Sequence, residues 1–187
     1  TFKCVVRNLK ELTRPGRSYS LIDLGCANGE FLYNVKKEFP TWRLRGIDIT
    51  PEFIEIARRV VTGAEFEVQD LFDSTGEHDI VTFLGTFSRF WDFEPALLKL
   101  LSLCKKGGLI FTDGYFNKFD VEVRSIFCDN STPQSRGIWR NNYAQHSRTR
   151  VSEFLQDKVA EMRFEDVVMT VEIPRDPEKP HMTVSTV

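Results

Sequence analysis

A short apolar run from Ser20 to Leu24 opens into Gly25-Cys26-Ala27-Asn28-Gly29, and the following residues, Glu30 to Glu38, carry Phe31, Leu32 and Val35 at helical spacing. This strand, turn and helix constrains the chain more than any other feature. Small residues at positions 25, 27 and 29 let the backbone turn tightly and approach a ligand without side-chain obstruction. The alternation then repeats. Pro40 closes the helix, Arg43 to Ile49 forms a second strand, and Thr50-Pro51 supplies an N-cap with proline at the first helical position of a helix running to about Val61. Glu65 to Val68, Asp79 to Leu84 and Leu109 to Thr112 are three further strands, with a helix from Pro95 to Leu103 and a turn at Lys106-Gly107-Gly108. Strands alternating with helices at this spacing predict an α/β fold, doubly wound, with a mostly parallel sheet and helices on both faces.

After Asp113 the pattern changes to a long polar connection, then an amphipathic segment from about Val151 to Met162. Phe164 to Ile173 and Met182 to Val187 follow as a C-terminal antiparallel strand pair. No linker or repeat divides the 187 residues, so a single domain over 1–187 is expected, with truncation at either end left open because the chain has no initiator Met.

Acidic residues recur where predicted strands end. Asp23 lies in the first strand, Asp48 ends the second about 20 residues later, and Asp70 follows the third. A carboxylate at Asp48 can accept hydrogen bonds from both hydroxyls of a ribose. Singly, each acid is equally explained as a turn cap or a solvent-facing strand end. In order along one edge of a parallel sheet, they point to a shared ligand. A nicotinamide-dependent dehydrogenase is disfavoured by register, because its third glycine would fall at Glu30, where helix and strand must pack closely.

Together these residues resemble the class I S-adenosylmethionine-dependent methyltransferase superfamily. The resemblance implies that Asp23, Gly25, Cys26, Ala27 and Gly29 surround the methionine portion of the cofactor and that Asp48 holds the ribose. It further implies that Asp70 meets the adenine amino group, with Ile49 and Leu71 beside the ring and Phe83 and Leu84 at the fourth strand's end. Glycine usually stands where this chain has Ala27, a departure that leaves the backbone path open. S-adenosylmethionine is then the cofactor and S-adenosylhomocysteine its product.

The acceptor side is less constrained. Leu84 to Trp91 lacks the Asn-Pro-Pro-Tyr type of motif that suits exocyclic adenine amines or glutamine amides, and its aromatics are as readily core. Ser131 to Arg150 holds Arg136, Arg140, Arg148 and Arg150 with Trp139, Tyr143 and His146 and no acid. Such a segment, reaching over the cofactor edge as a lid, suits an anionic or sugar-like small molecule, with Arg89 and Tyr115 joining it. A merely solvated basic loop explains the composition equally well. His146 is the expected general base if the acceptor is a hydroxyl. Net charge is −2, which gives no global footprint for nucleic acid. No apolar run is long enough to cross a bilayer, and no secretory signal is visible, so a cytoplasmic enzyme is expected. The four cysteines include no C-x-x-C pair and suggest no metal site. The alternatives are a protein or RNA methyltransferase and a catalytically silent binding subunit. Oligomeric state is left undetermined.

Overall fold

The computed structural model describes residues 1–167. Its centre is a five-stranded sheet in the order β3-β2-β1-β4-β5, formed by β1 (Ser20–Leu24), β2 (Arg43–Asp48), β3 (Glu65–Val68), β4 (His78–Phe83) and β5 (Cys104–Thr112). Every pairing in it is parallel. The order reverses at β1, so β1 is flanked by β2 and β4, and a crevice opens at their carboxyl ends.

Side chains alternate across this sheet and create two cores. Leu21, Leu44 and Ile80 face α2 (Glu30–Glu38) and α3 (Pro51–Val60), meeting Phe31, Leu32, Val35, Ile54 and Ala57. Ile22, Leu24, Ile47, Val81 and Phe83 face the other way, toward Leu97 and Leu100 of α4 (Glu94–Leu103) and Val151 and Leu155 of α5 (Arg148–Leu155). Strands buried on both faces explain why their sequences are runs of apolar residues. Packing is tight at Gly46, where a Cβ would lie 2.7 Å from the Phe66 ring and 2.8 Å from both Cys26 Sγ and Leu32 Cδ1. At the opposite edge, Asp79 accepts hydrogen bonds from the Ser20 N–H (2.8 Å) and hydroxyl (2.7 Å) and pairs with Lys105 (3.2 Å). Burial would raise this carboxyl, but these partners outweigh it and hold it at about 2.

The structure departs from the sequence-based expectations in five places. An N-terminal helix, α1 (Phe2–Leu12), was not expected; it buries Val5, Asn8 and Leu9 and sets Phe2 5.5 Å from Phe31 between ring centroids. The expected turn at Lys106-Gly107-Gly108 is an irregularity within β5, which already pairs with His78 at Cys104 and resumes at Leu109 opposite Ile80. The polar connection after Asp113 is a second, three-stranded sheet in the order β6-β8-β7, made by β6 (Tyr115–Asn117), β7 (Val123–Cys128) and β8 (Trp139–Ser147). Helix α5 ends at Leu155, short of Met162. Residues 164–167 of the expected C-terminal strand pair carry no regular structure, and the rest of that pair lies outside the described residues. No helix among the described residues is long and apolar enough to cross a membrane.

One ionisable group sits in the sheet itself. Asp23 is 3% exposed, and its Oδ1 accepts a 2.6 Å hydrogen bond from the Thr82 hydroxyl. Burial pushes its carboxyl from 3.8 up to about 7; the Thr82 bond opposes the shift, whereas Asp113 and Asp48 add to it. The folded chain therefore retains a proton that the unfolded chain releases near pH 4. That contribution to stability is complete below about pH 4 and is lost as pH rises through about 7. Urea unfolding between pH 4.5 and 7.5 should show the wild type losing stability relative to Asp23→Asn, by up to about 1.4 kcal/mol per pH unit. A constant difference across that range would mean that Asp23 is ionised throughout.

Candidate active site

The crevice at the strand ends is built largely from backbone. Gly25, Ala27 and Gly29 all adopt left-handed conformations, with φ of 70°, 45° and 81°. Ala27 is the non-glycine residue with positive φ among those described, at a strain of roughly 1–2 kcal/mol. The turn is held in place by β2. The N–H groups of Gly25 and Cys26 both donate to the Ile47 carbonyl (2.8 and 2.9 Å), and the Ala27 N–H donates to Asp48 Oδ2 at 3.0 Å. Asp48 Oδ1 accepts from the Thr50 N–H at 2.9 Å, where α3 begins. Each Asp48 oxygen retains acceptor capacity, and the residue is only half-buried.

Glycine is required at position 25 by space as well as by φ, since a Cβ there would lie 2.8 Å from Thr86 Oγ1. The segment after β4 therefore lies directly over the turn. Asp70 is exposed and caps a short 3-10 turn, its Oδ1 accepting from the Phe72 N–H at 2.8 Å. Beside it, apolar surface is left open: Ile49 is 68% exposed and Phe72 45%. Leu71 is half-buried against the second core. Phe72, which the sequence reading passed over, packs edge-on against Phe90 at 6.0 Å. An aromatic two residues after an acid at a strand end was the available signal.

Two of the expected cofactor contacts are core instead. Phe83 is fully buried against Phe87 and Phe90, and Leu84 belongs to the first core, so neither side chain is open to a ligand. Cys26 is buried too, and burial, reinforced by Asp23 and Asp48, pushes its thiol well above the ordinary range, which removes it as a nucleophile.

The second sheet stands over the ends of β4 and β5. The Tyr115 N–H donates to Ser88 Oγ at 2.8 Å, and Arg89 donates to the Asn142 carbonyl at 3.2 Å. His146, expected as an accessible base, is 1% exposed and lies between the rings of Phe87 and Phe93, each 5.2 Å away. Burial lowers its basicity, partly opposed by Glu122 at 3.9 Å. It pins β8 to the segment after β4 and does not present a nitrogen to an acceptor.

The expected substrate residues separate into groups. Arg89, Tyr115 and Tyr143 come together, the two tyrosine rings 5.3 Å apart. Arg136, Trp139 and Arg140 lie toward the far end of the β7–β8 hairpin, where Trp139 opposes Cys128 and Arg140 opposes Phe127. Trp139 is six residues, or about 20 Å, along β8 from Gln145, which opposes Tyr115. Arg148 is engaged elsewhere, pairing with Asp166 and lying 5.1 Å above the Phe164 ring. The basic segment is thus not one cluster: its arginines are spread over a turn, β8 and the first turn of α5.

The model of a methyltransferase domain family matches residues 16–165. Malonyl-[acyl-carrier protein] O-methyltransferase 1 from Ilyobacter polytropus is 26% identical over 113 residues, covering 58% of this chain and 42% of that protein. Among solved structures, the sugar N-methyltransferase KedS8 of Streptoalloteichus sp. superposes with a TM-score of 0.54 at 24% identity, covering 67% of this chain and 53% of that one. Magnesium protoporphyrin IX methyltransferase of Synechocystis, solved with bound SAM, gives 0.55 at 18% identity, covering 84% and 66%. The chain therefore spans less than two thirds of the length of each of these proteins. The family match runs through the whole parallel sheet, its crossover helices and the second sheet, and the chain belongs to the methyltransferase domain family.

Proposed function

We propose that this chain is a methyltransferase that binds S-adenosylmethionine across the ends of β1, β2 and β3 and transfers its methyl group to a small anionic or sugar-like molecule. The observation that carries the cofactor half is the junction of the glycine turn with Asp48, a carboxylate fixed by the Ala27 and Thr50 N–H groups beside the open Ile49. Such a carboxylate suits two vicinal hydroxyls, and the apolar neighbours suit a flat ring. Asp23 sits beneath the turn, where a cationic ligand would favour its ionised form. The solved relative with bound SAM supports the same choice of cofactor.

In S-adenosylmethionine the sulfonium makes the methyl group electrophilic. The chain's task is to align an acceptor with that methyl and exclude water. Arg89, Tyr115 and Tyr143, grouped on the β4–β5 side, form the acceptor wall in this reading. The named relatives, a malonyl-[acyl-carrier protein] O-methyltransferase and a sugar N-methyltransferase, support a small polar acceptor. A macromolecular acceptor is the second reading, favoured by the hairpin that leaves Trp139 64% and Phe127 40% exposed beside Arg136 and Arg140. A cytoplasmic location is part of the same proposal.

Calorimetric titration tests the cofactor half. Asp48→Ala should weaken S-adenosylmethionine binding by about 2 kcal/mol or more, through loss of a charged acceptor. Asp70→Asn should cost less, since an amide oxygen still accepts from an adenine amino group and still caps the turn after β3. Unchanged affinity in a folded Asp48→Ala protein would overturn the assignment. For the acceptor half, Arg89→Ala and Tyr143→Phe should raise the acceptor KM with little change in cofactor affinity. Arg148→Ala should lower thermal stability and leave KM alone, because its partners are Asp166 and Phe164. A rise in KM for Arg148→Ala without loss of stability would restore it to the acceptor site.

A further inference from the structure

The sheet edge has two halves, and the cofactor reading uses only one. Asp23, the glycine turn, Asp48 and Asp70 account for the ends of β1, β2 and β3. The ends of β4 and β5 remain, carrying Gly85, Thr86 and Ser88 on one strand's continuation and Asp113 and Gly114 on the other's. These pieces are contiguous. Thr86 lies over Gly25, Asp113 Oδ1 accepts from the Gly85 N–H, and a Cβ on Gly114 would lie 3.1 Å from both Phe87 and Ser88 Oγ. Asp113 also lies close enough to Asp23 to act on its ionisation. A carboxylate thus stands at the edge of the glycine turn on the acceptor side, with one oxygen fixed by backbone. Its Oδ2 takes no hydrogen bond among the described residues.

We infer that Asp113 faces the methyl group of the bound cofactor and takes the proton of the acceptor, and that the methylated atom is an alcohol oxygen and not a carboxylate. This rests on the cofactor reading above and deepens it. The acceptor half is otherwise poor in proton acceptors: Thr86 and Ser88 are hydroxyls, and His146 is enclosed by aromatic rings. In the step, an oxygen lone pair of the alcohol forms a bond to the methyl carbon while the carbon–sulfur bond breaks, its electron pair remaining on sulfur as the neutral thioether. The O–H proton passes to Asp113 Oδ2, giving methyl ether, S-adenosylhomocysteine and a carboxylic acid that returns its proton to water. An incoming carboxylate has no proton to give and would meet Asp113 as like charge. The chemistry fits the sugar-like acceptor in preference to an acid.

The test needs no knowledge of the acceptor. Sinefungin carries an ammonium on the carbon that replaces the methylsulfonium, so a carboxylate facing the methyl binds it through a charge-assisted hydrogen bond that S-adenosylhomocysteine lacks. Asp113→Asn keeps an oxygen for the Gly85 N–H and loses the charge. Calorimetry should show sinefungin weakened about tenfold relative to S-adenosylhomocysteine, whose own affinity stays within about twofold of wild type. An unchanged sinefungin ratio overturns the proposal; failure of wild type to bind S-adenosylhomocysteine overturns the cofactor reading instead. Should Asp113→Asn not fold, Asp113→Ser removes the same charge and should move the ratio likewise. As a second arm, labelled S-adenosylmethionine is offered with a panel of free and phosphorylated sugars and one of di- and tricarboxylic acids. Ether formation on a sugar, reduced about a hundredfold or more by Asp113→Asn, is expected. Ester formation on an acid, or sugar methylation that Asp113→Asn leaves unchanged, sinks the inference.

Discussion

The end of β2 holds the site together. Four N–H groups converge on two consecutive residues: Gly25 and Cys26 on the Ile47 carbonyl, Ala27 and Thr50 on the Asp48 carboxylate. These bonds bind the turn after β1 to the helix start after β2, so that the left-handed backbone at Gly25, Ala27 and Gly29 is not free to relax. Packing closes the turn from below. A Cβ on Gly29 would lie 3.1 to 3.3 Å from Ala57, Val61 and Phe66, which seals α2 and α3 against the sheet. In the proposed reading the atoms of Asp48 that fix the turn also serve the ligand, since its contacts with the Ala27 and Thr50 N–H groups orient the lone pairs left over.

Charge is distributed around this junction with a consistent sign. Asp23 is buried beneath it, Asp48 half-buried within it, and Asp113 at its rim; burial suppresses the ionisation of Asp23, and repulsion from Asp113 and Asp48 adds to it. Holding acids this close is costly, and the cationic ligand of the proposed reading would offset that cost. Among the described residues several arginines are paired elsewhere: Arg148 on Asp166, Arg150 on Glu122 at 2.7 Å, Arg45 on Glu67 at 2.7 Å. Arg89 instead reaches toward the second sheet, where it donates to the Asn142 carbonyl.

The second sheet stands over the ends of β4 and β5, the side that the proposed reading gives to the acceptor. Phe87 is its anchor, in contact with Phe83 and Phe93 from the main domain and with Phe116 and His146 from the second sheet, at ring separations of 5.2 to 6.4 Å. Aromatic packing of this kind, together with the Tyr115 to Ser88 bond, fixes β6 directly after β5 with only Asp113 and Gly114 between them. Beyond this anchor the β7–β8 hairpin extends with most of its side chains in solvent.

The sequence by itself determined the parallel sheet, its crossover helices, the glycine turn and the placement of Asp48, because each depends on local spacing: apolar runs of strand length, helical periodicity, and an acid where a strand must end. Even Ala27 was legible as a glycine substitute, since its neighbours dictate the path. Only the tertiary structure decided the rest. Trp139-Arg-Asn-Asn-Tyr-Ala-Gln-His-Ser147 has little intrinsic strand character, and it becomes β8 because His146 and Ala144 are buried against the segment after β4 and its edges pair with β6 and β7. The same long-range contacts turned His146 from a candidate base into a core residue and gave Arg148 a partner 18 residues away. Asp113 drew no notice as one more polar residue after a strand. It acquires its place from the Gly85 N–H, 28 residues distant, a proximity that follows from the pairing of β4 with β5 and not from any local pattern.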